Sequence, residues 1–200
     1  MKELEIEFKN MLSGQEYGRL EEKYFSSQKP VVQTNFYIDT PDLDMRKNRI
    51  LLRIRDAEGI QMMTLKEPTE KGVMEYHGEV SGELNFDRDI RPAELPELIR
   101  GELARYDIDI SRLKIYGALS TERRQVPYRE GLLVLDRNTF LDEEDFELEY
   151  EVDNHDKGET RFLQLLEEAG IERRGEVTKS ERFYNKLASI RTGDHYAYTI

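Results

Sequence analysis

The sequence predicts a mainly β protein of the α+β kind: an eight-stranded, closed antiparallel β-barrel with helices packed outside. Three observations lead there. Short segments of alternating polar and apolar residues dominate the chain, at about 2–9, 32–39, 49–55, 60–66, 73–81, 115–125, 131–137 and 145–153. Most are joined by short turns, with Gly59, Gly131 and the polar stretch Asp142 to Asp145 at the turning points. Helical patterns are too few to stand between every pair of strands, as a parallel sheet would need.

Four helical patterns interrupt the strands. The first covers about Ser13 to Phe25, and Ser13 with Glu16 forms a capping box. The second starts at Pro92, a good first-turn residue, and is expected to run to about Tyr106. The third follows Asp156, with Phe162, Leu165, Leu166 and Ala169 on its apolar face and Gly170 as its stop. The fourth starts at Thr178, capped with Glu181, and runs towards Ser189.

Two hundred residues with 38% hydrophobic content suit one domain, expected over 1–190, with 191–200 as a loosely held tail. No run of roughly 18 apolar residues is present, so no membrane span is expected. The opening Met1-Lys2-Glu3-Leu4-Glu5 lacks the apolar core of a secretion signal, and cysteine is absent, so a cytoplasmic location is expected. With no cysteine and three histidines, a zinc site is not expected, and any metal would be held by oxygen: magnesium, manganese or calcium. The net charge of −12, from 42 acids and 30 bases, argues against nucleic-acid binding. Oligomeric state is left open.

The charges are sorted by strand. Glu3, Glu5, Glu7 and Lys9 share one face, with Leu4, Ile6 and Phe8 opposite. Glu147, Glu149 and Glu151 repeat the pattern. Arg53 and Arg55 share a face, as do Thr64 and Lys66, and Thr121 and Arg123. Taken singly, each row reads as the solvated side of a half-buried strand. Like charges two apart on one face repel, however, and a solvated face ordinarily mixes signs. Acidic and basic rows in one sheet are explained if both line a common space, where carboxylates hold metal and Arg and Lys hold phosphate oxygens. The face of 73–81 carries Glu75, His77 and Glu79, and the sequence does not choose among them. Nucleotide-binding glycine loops are missing, so side chains would do most of the holding.

These residues resemble the signatures of the CYTH superfamily, the triphosphate tunnel metalloenzymes, and most closely its Firmicute members. Glu5-Ile6-Glu7-Phe8-Lys9 resembles the E-x-E-x-K signature, and Tyr37-Ile38-Asp39-Thr40 the Y-x-D-T stretch. Leu52-Arg53-Ile54-Arg55, Thr64-Leu65-Lys66, Thr121-Glu122-Arg123, Leu135-Asp136, Glu147-Leu148-Glu149 and Lys179-Ser180 follow in the family's order. The resemblance implies a tunnel open at both ends. It implies hydrolysis of the terminal phosphoanhydride of a small-molecule triphosphate, inorganic or organic, with Mg2+ or Mn2+. It assigns Glu5, Glu7, Glu147 and Glu149 to metal, with Asp136 positioning a metal or its water. It assigns Lys9, Arg53, Arg55, Lys66, Arg123 and Lys179 to phosphate, and Glu147, Glu149 and Lys9 to catalysis. Glu151 continues the same face outside the signature, and Arg124 is expected to point outward. Adenylate cyclisation and non-catalytic binding of a nucleotide or polyphosphate are the alternatives.

Overall fold

The structure is a computed structural model that describes residues 1–70, 72–175 and 177–193. It is an antiparallel sheet with helices on its outer face. In chain order the elements are β1 (Lys2–Glu5), β2 (Glu7–Leu12), α1 (Gly14–Tyr24), β3 (Val31–Asp39), the short α2 (Asp44–Lys47), β4 (Leu51–Ala57), β5 (Ile60–Pro68) and β6 (Val73–Val80). Then come α3 (Glu97–Leu103), β7 (Lys114–Tyr128), β8 (Gly131–Phe140), β9 (Glu143–Glu151), α4 (His155–Glu168) and α5 (Lys179–Gly193).

The strand order is β1-β6-β5-β4-β3-β7-β8-β9-β2, all neighbours antiparallel. The expected first strand is therefore two. It breaks at Ile6, so that β1 pairs with β6 at one end of the sheet and β2 with β9 at the other. Among the described residues no ladder joins these two ends; the circle is completed by the chain itself through Ile6, whose carbonyl accepts from Val152 N at 2.9 Å. Nine strands thus stand where eight were expected, because the first is split in two.

The tight turns carry positive φ, at one glycine and at several other residues. Glu58 and Gly59, at φ 52° and 82°, join β4 to β5. The turn after β7 is Arg129-Glu130, with Gly131 already in β8, and the turn after β8 is Leu141-Asp142, one residue before the expected polar stretch. α1 forms with the expected capping box, and α5 starts at Lys179, just after the expected Thr178, whose N–H donates to Glu181 at 2.9 Å. The expected helix at 92–106 is broken: Pro92–Glu94 is a 3-10 turn and α3 starts only after Pro96, because a residue preceding proline is pushed out of the helical region. α4 is capped by Asn154 rather than Asp156. The tail expected at 191–200 overlaps the end of α5, and 194–200 lie outside the described residues.

Apolar rows face outward and are roofed. Ile54, Met63, Leu65 and Tyr76 pack under Leu95, Ile99 and Leu103 of the α3 region. Phe8, Leu133, Leu135 and Leu148 pack under Tyr17 and Leu20 of α1 and Phe162 and Leu165 of α4. Burying these rows, at roughly 1.5–3 kcal/mol per large side chain, fixes which face is left for the interior. α5 behaves differently. Phe183, Tyr184 and Leu187 pack on Tyr37, Leu119 and Phe140, so the helix seats on the inward side and walls one end of the space. Gly117 makes the room, since a Cβ there would lie 2.6 Å from Phe183 Cζ.

Candidate active site in a charged cavity

The inward rows enclose a cavity of about 1020 Å3. The register decides which charges meet. Lys9 stands opposite Glu149, Lys66 opposite Glu75, and Arg123 opposite Asp136. Each pair closes: Lys9 Nζ lies 2.6 Å from Glu7 and 3.8 Å from Glu149, and Lys66 Nζ lies 2.7 Å from Glu5 and also pairs with Glu75. Arg123 donates to both oxygens of Asp136 at 2.9 and 2.6 Å and to Glu149 at 2.5 Å.

Apart from Glu3 opposite Glu75, where Lys66 pairs with Glu75, the register sets acids face to face in two places, an arrangement that is unfavourable unless a cation intervenes. The first is Asp136 opposite Glu147. Here Lys179 intervenes from α5, 2.9 Å from Asp136 and 2.7 Å from Glu149, and paired with Glu147. Burial disfavours the Lys179 ammonium, but these three acids outweigh it and raise its pKa. Asp136 and Glu147 are fully buried behind the wall and do not line the cavity, whereas Glu149 does. The second is Glu7 opposite Glu151. With Glu5 they offer three carboxylate oxygens within 4.8 Å of one another at the cavity wall. Burial, only partly offset by Arg123, and the neighbouring Glu149, Glu5 and Glu7 push Glu151 up to about 7. Three converging carboxylates on a wet cavity suit a hard, oxygen-seeking divalent ion, so the residues present fit Mg2+ or Mn2+.

The cations opposite are less well balanced. Arg53 and Arg55 line the cavity, and among the described residues neither has a carboxylate within ion-pair distance. Arg55 donates to the neutral Asn35 Oδ1, and Arg53 Nε is buried with no partner. Burial, with repulsion from Arg53 and Arg123, pulls Arg55 down to about 9. Guanidinium still keeps its proton at neutral pH, and the penalty measures its want of an anion.

Every expected site residue lies on or directly behind the cavity wall. Glu5, Glu7, Lys9, Arg53, Arg55, Lys66, Arg123, Glu149 and Lys179 line it; Asp136 and Glu147 support it. Arg124 turns outward onto Tyr17 Oη at 2.8 Å, as expected. The open choice on β6 resolves to Glu75 and His77, which line the cavity, while Glu79 is exposed. Sequence reasoning left Glu151 outside the signature and passed over Arg182. Glu151 belongs to the carboxylate trio, and its alternation with Glu149 was the signal. Arg182 holds Asp145 and Glu147 at 2.7 and 2.6 Å, and its i+3 spacing from Lys179 on one helix face was the signal.

An antiparallel β-tunnel with a charged interior, acids gathered opposite bases, defines the class of protein. The profile of the CYTH domain matches residues 3–184, and the chain belongs to that family. It is 35% identical over 191 residues to "Putative triphosphatase YjbK" of Bacillus subtilis (strain 168), covering 92% of this chain and 96% of that one. A Bacillus halodurans crystal structure described as a "putative adenylate cyclase" is 31% identical, with a TM-score of 0.80 over 92% of this chain and 98% of that one. A Hippeastrum protein described as an adenylyl cyclase with a dominant triphosphatase activity shares the fold at 20% identity, with a TM-score of 0.69 over 95% of this chain and 96% of that one. No helix among the described residues is long and apolar enough to cross a membrane.

Proposed function

We propose that the protein is a divalent-metal-dependent triphosphatase that hydrolyses the terminal phosphoanhydride of inorganic tripolyphosphate or a small organic triphosphate. The observation that carries this reading is the pair Arg53, buried, and Arg55, half-buried, neither with an acidic partner among the described residues, in the same cavity as the carboxylates Glu5, Glu7 and Glu151. Such a cavity is completed by a ligand with many anionic oxygens and a cation to match. The 35% identity to a relative named for triphosphatase activity supports the same reading.

Arg53 and Arg55 would grip phosphate oxygens with their forked donors, while Lys9, Lys66, Arg123 and Lys179 supply further positive charge along the wall. Glu5, Glu7 and Glu151 would hold the divalent ion. That ion would neutralise phosphate charge and lower the pKa of a bound water. Of the two carboxylates expected in catalysis, Glu149 lines the cavity and can accept a proton from the attacking water; Glu147 acts through Lys179. In-line attack forms a bond from water oxygen to the terminal phosphorus and breaks the bond to the bridging oxygen, which leaves with the electron pair on the diphosphate. Fixed cations stabilise that leaving charge without reorganising.

The 31% identity to a protein described as a cyclase favours a second reading, in which ATP is cyclised. One assay separates them. The protein is incubated with tripolyphosphate, ATP or thiamine triphosphate, with Mg2+, Mn2+ or EDTA. Orthophosphate release that EDTA abolishes is the expected result. Cyclic AMP with pyrophosphate would establish the cyclase, and binding without turnover would leave a polyphosphate-binding module.

A further inference from the structure

α5 enters the site with two cations one turn apart. Lys179 meets Asp136, Glu147 and Glu149. Arg182 donates through Nε to Asp145 Oδ2 at 2.7 Å and through Nη1 to Glu147 Oε2 at 2.6 Å and to the Val177 carbonyl at 2.5 Å. Glu147 is therefore shared, one oxygen on Lys179 and the other on Arg182. It is fully buried, and a buried carboxylate keeps its charge only while paired.

Suppose Arg182 were lost. Lys179 would then be the one remaining ion-pair partner of Glu147 among the described residues, and would be drawn towards it and away from Asp136 and Glu149. Neither Arg182 nor Asp145 lines the cavity, so their contacts are not with a ligand there. We propose that Arg182 is a positioning residue: by clasping Asp145 and Glu147 on β9 it holds the Lys179 ammonium at the cavity wall. Its effect on turnover rests on the triphosphatase reading; its effect on Lys179 does not.

The test reads Lys179 directly. The full-length protein is treated with acetic anhydride, and the acetylation rate of each lysine is followed by mass spectrometry in the parent, Arg182→Lys and Asp145→Asn. Arg182→Lys keeps the charge but loses the fork that spans two carboxylates. Lys179 acetylation is expected to fall about tenfold in both variants, the factor for one charge-assisted hydrogen bond, as the ammonium withdraws from the cavity wall towards the sealed Glu147. Lys9, buried to a similar degree but held by Glu7, is the internal control and should stay within about twofold. An unchanged or faster Lys179 rate, or an equal fall at Lys9, overturns the proposal. If Arg182→Lys does not fold, Asp145→Asn carries the test.

A kinetic cycle adds a second readout. With tripolyphosphate and Mg2+, Arg182→Lys should lower kcat/KM about tenfold in the parent and no more than about twofold in a Lys179→Ala background. Losses that simply multiply would also overturn the proposal. A parent that turns over no triphosphate would remove the triphosphatase reading and leave the acetylation result standing.

Discussion

Arg55 Nε donates to Asn35 Oδ1 at 3.0 Å, a neutral partner for a charged group in a cavity where Lys9, Lys66, Arg123 and Lys179 sit in ion pairs. Across the sheet register Asn35 and Arg55 face each other, so this hydrogen bond aims the guanidinium without cancelling its charge. Anion binding would recover the electrostatic penalty. Arg55→Ala and Arg53→Ala should therefore each raise KM for tripolyphosphate about 10- to 100-fold, the value of one or two hydrogen bonds to a charged group. Their melting temperatures should hold or rise, because a repulsive buried charge is removed. Steady-state kinetics with parental KM in both variants would take these residues out of the phosphate site.

Glu151 lies opposite Glu7, and with Glu5 their oxygens come within 4.8 Å. Three like charges at that spacing ask for a cation. Glu151→Gln should raise the Mg2+ concentration giving half-maximal activity by about tenfold or more, since affinity follows the number of charged oxygen ligands. Mn2+ titration by calorimetry, without substrate, should show the same weakening. Metal affinity equal to the parent's would place the ion elsewhere.

The faces of this site were legible because period-2 alternation in a strand reports a side, and the outward side is independently marked by Leu52, Ile54, Leu65 and Leu148. Depth was not legible. Glu147 and Glu149 share a face, yet Glu149 reaches the cavity and Glu147 is sealed behind Lys179 and Arg182. That difference is set by where α5 lands, which depends on Gly117 and Tyr37, far from it in sequence. The break at Ile6 was equally hidden, since pairing partners more than sixty residues apart decide it. The family signature located the residues and left the division between cavity wall and support to the packing.

Gly117 tests the seat of α5. An added Cβ would lie 2.6 Å from Phe183 Cζ and 3.0 Å from Cε2, and Phe183 is fully buried with no slack. Gly117→Ala should destabilise the fold by about 1–3 kcal/mol through overpacking. It should also lower kcat more than the loss of stability explains, because α5 carries Lys179 into the site. Thermal melts and kinetics measured well below the transition separate the two effects. A variant with parental melting temperature and rate would show that α5 can shift freely on the sheet.

Glu16 joins the first helix to the segment before α5: its carboxylate accepts from Arg174 at 2.7 and 3.0 Å and from Ser13 N at 2.7 Å. The Arg174 hydrogen bonds, joined by those from Ser13, outweigh burial and hold Glu16 at about 2, below its ordinary 4.5. The folded pKa is depressed, so between those values the folded state binds fewer protons than the unfolded one. The resulting stability is complete above about pH 4.5 and is lost as pH falls towards 2. Glu16→Gln keeps an acceptor and removes the charge, and Arg174 is partly exposed, so the cost at pH 7 is about 1–2 kcal/mol. For a chain of this size that lowers the melting temperature by about 2–8 °C. The parent and the variant should converge as the buffer is taken from pH 5 to pH 2. Melting curves that keep a constant gap over that range would mean that the Glu16 charge contributes nothing to holding α1 against the chain leading into α5.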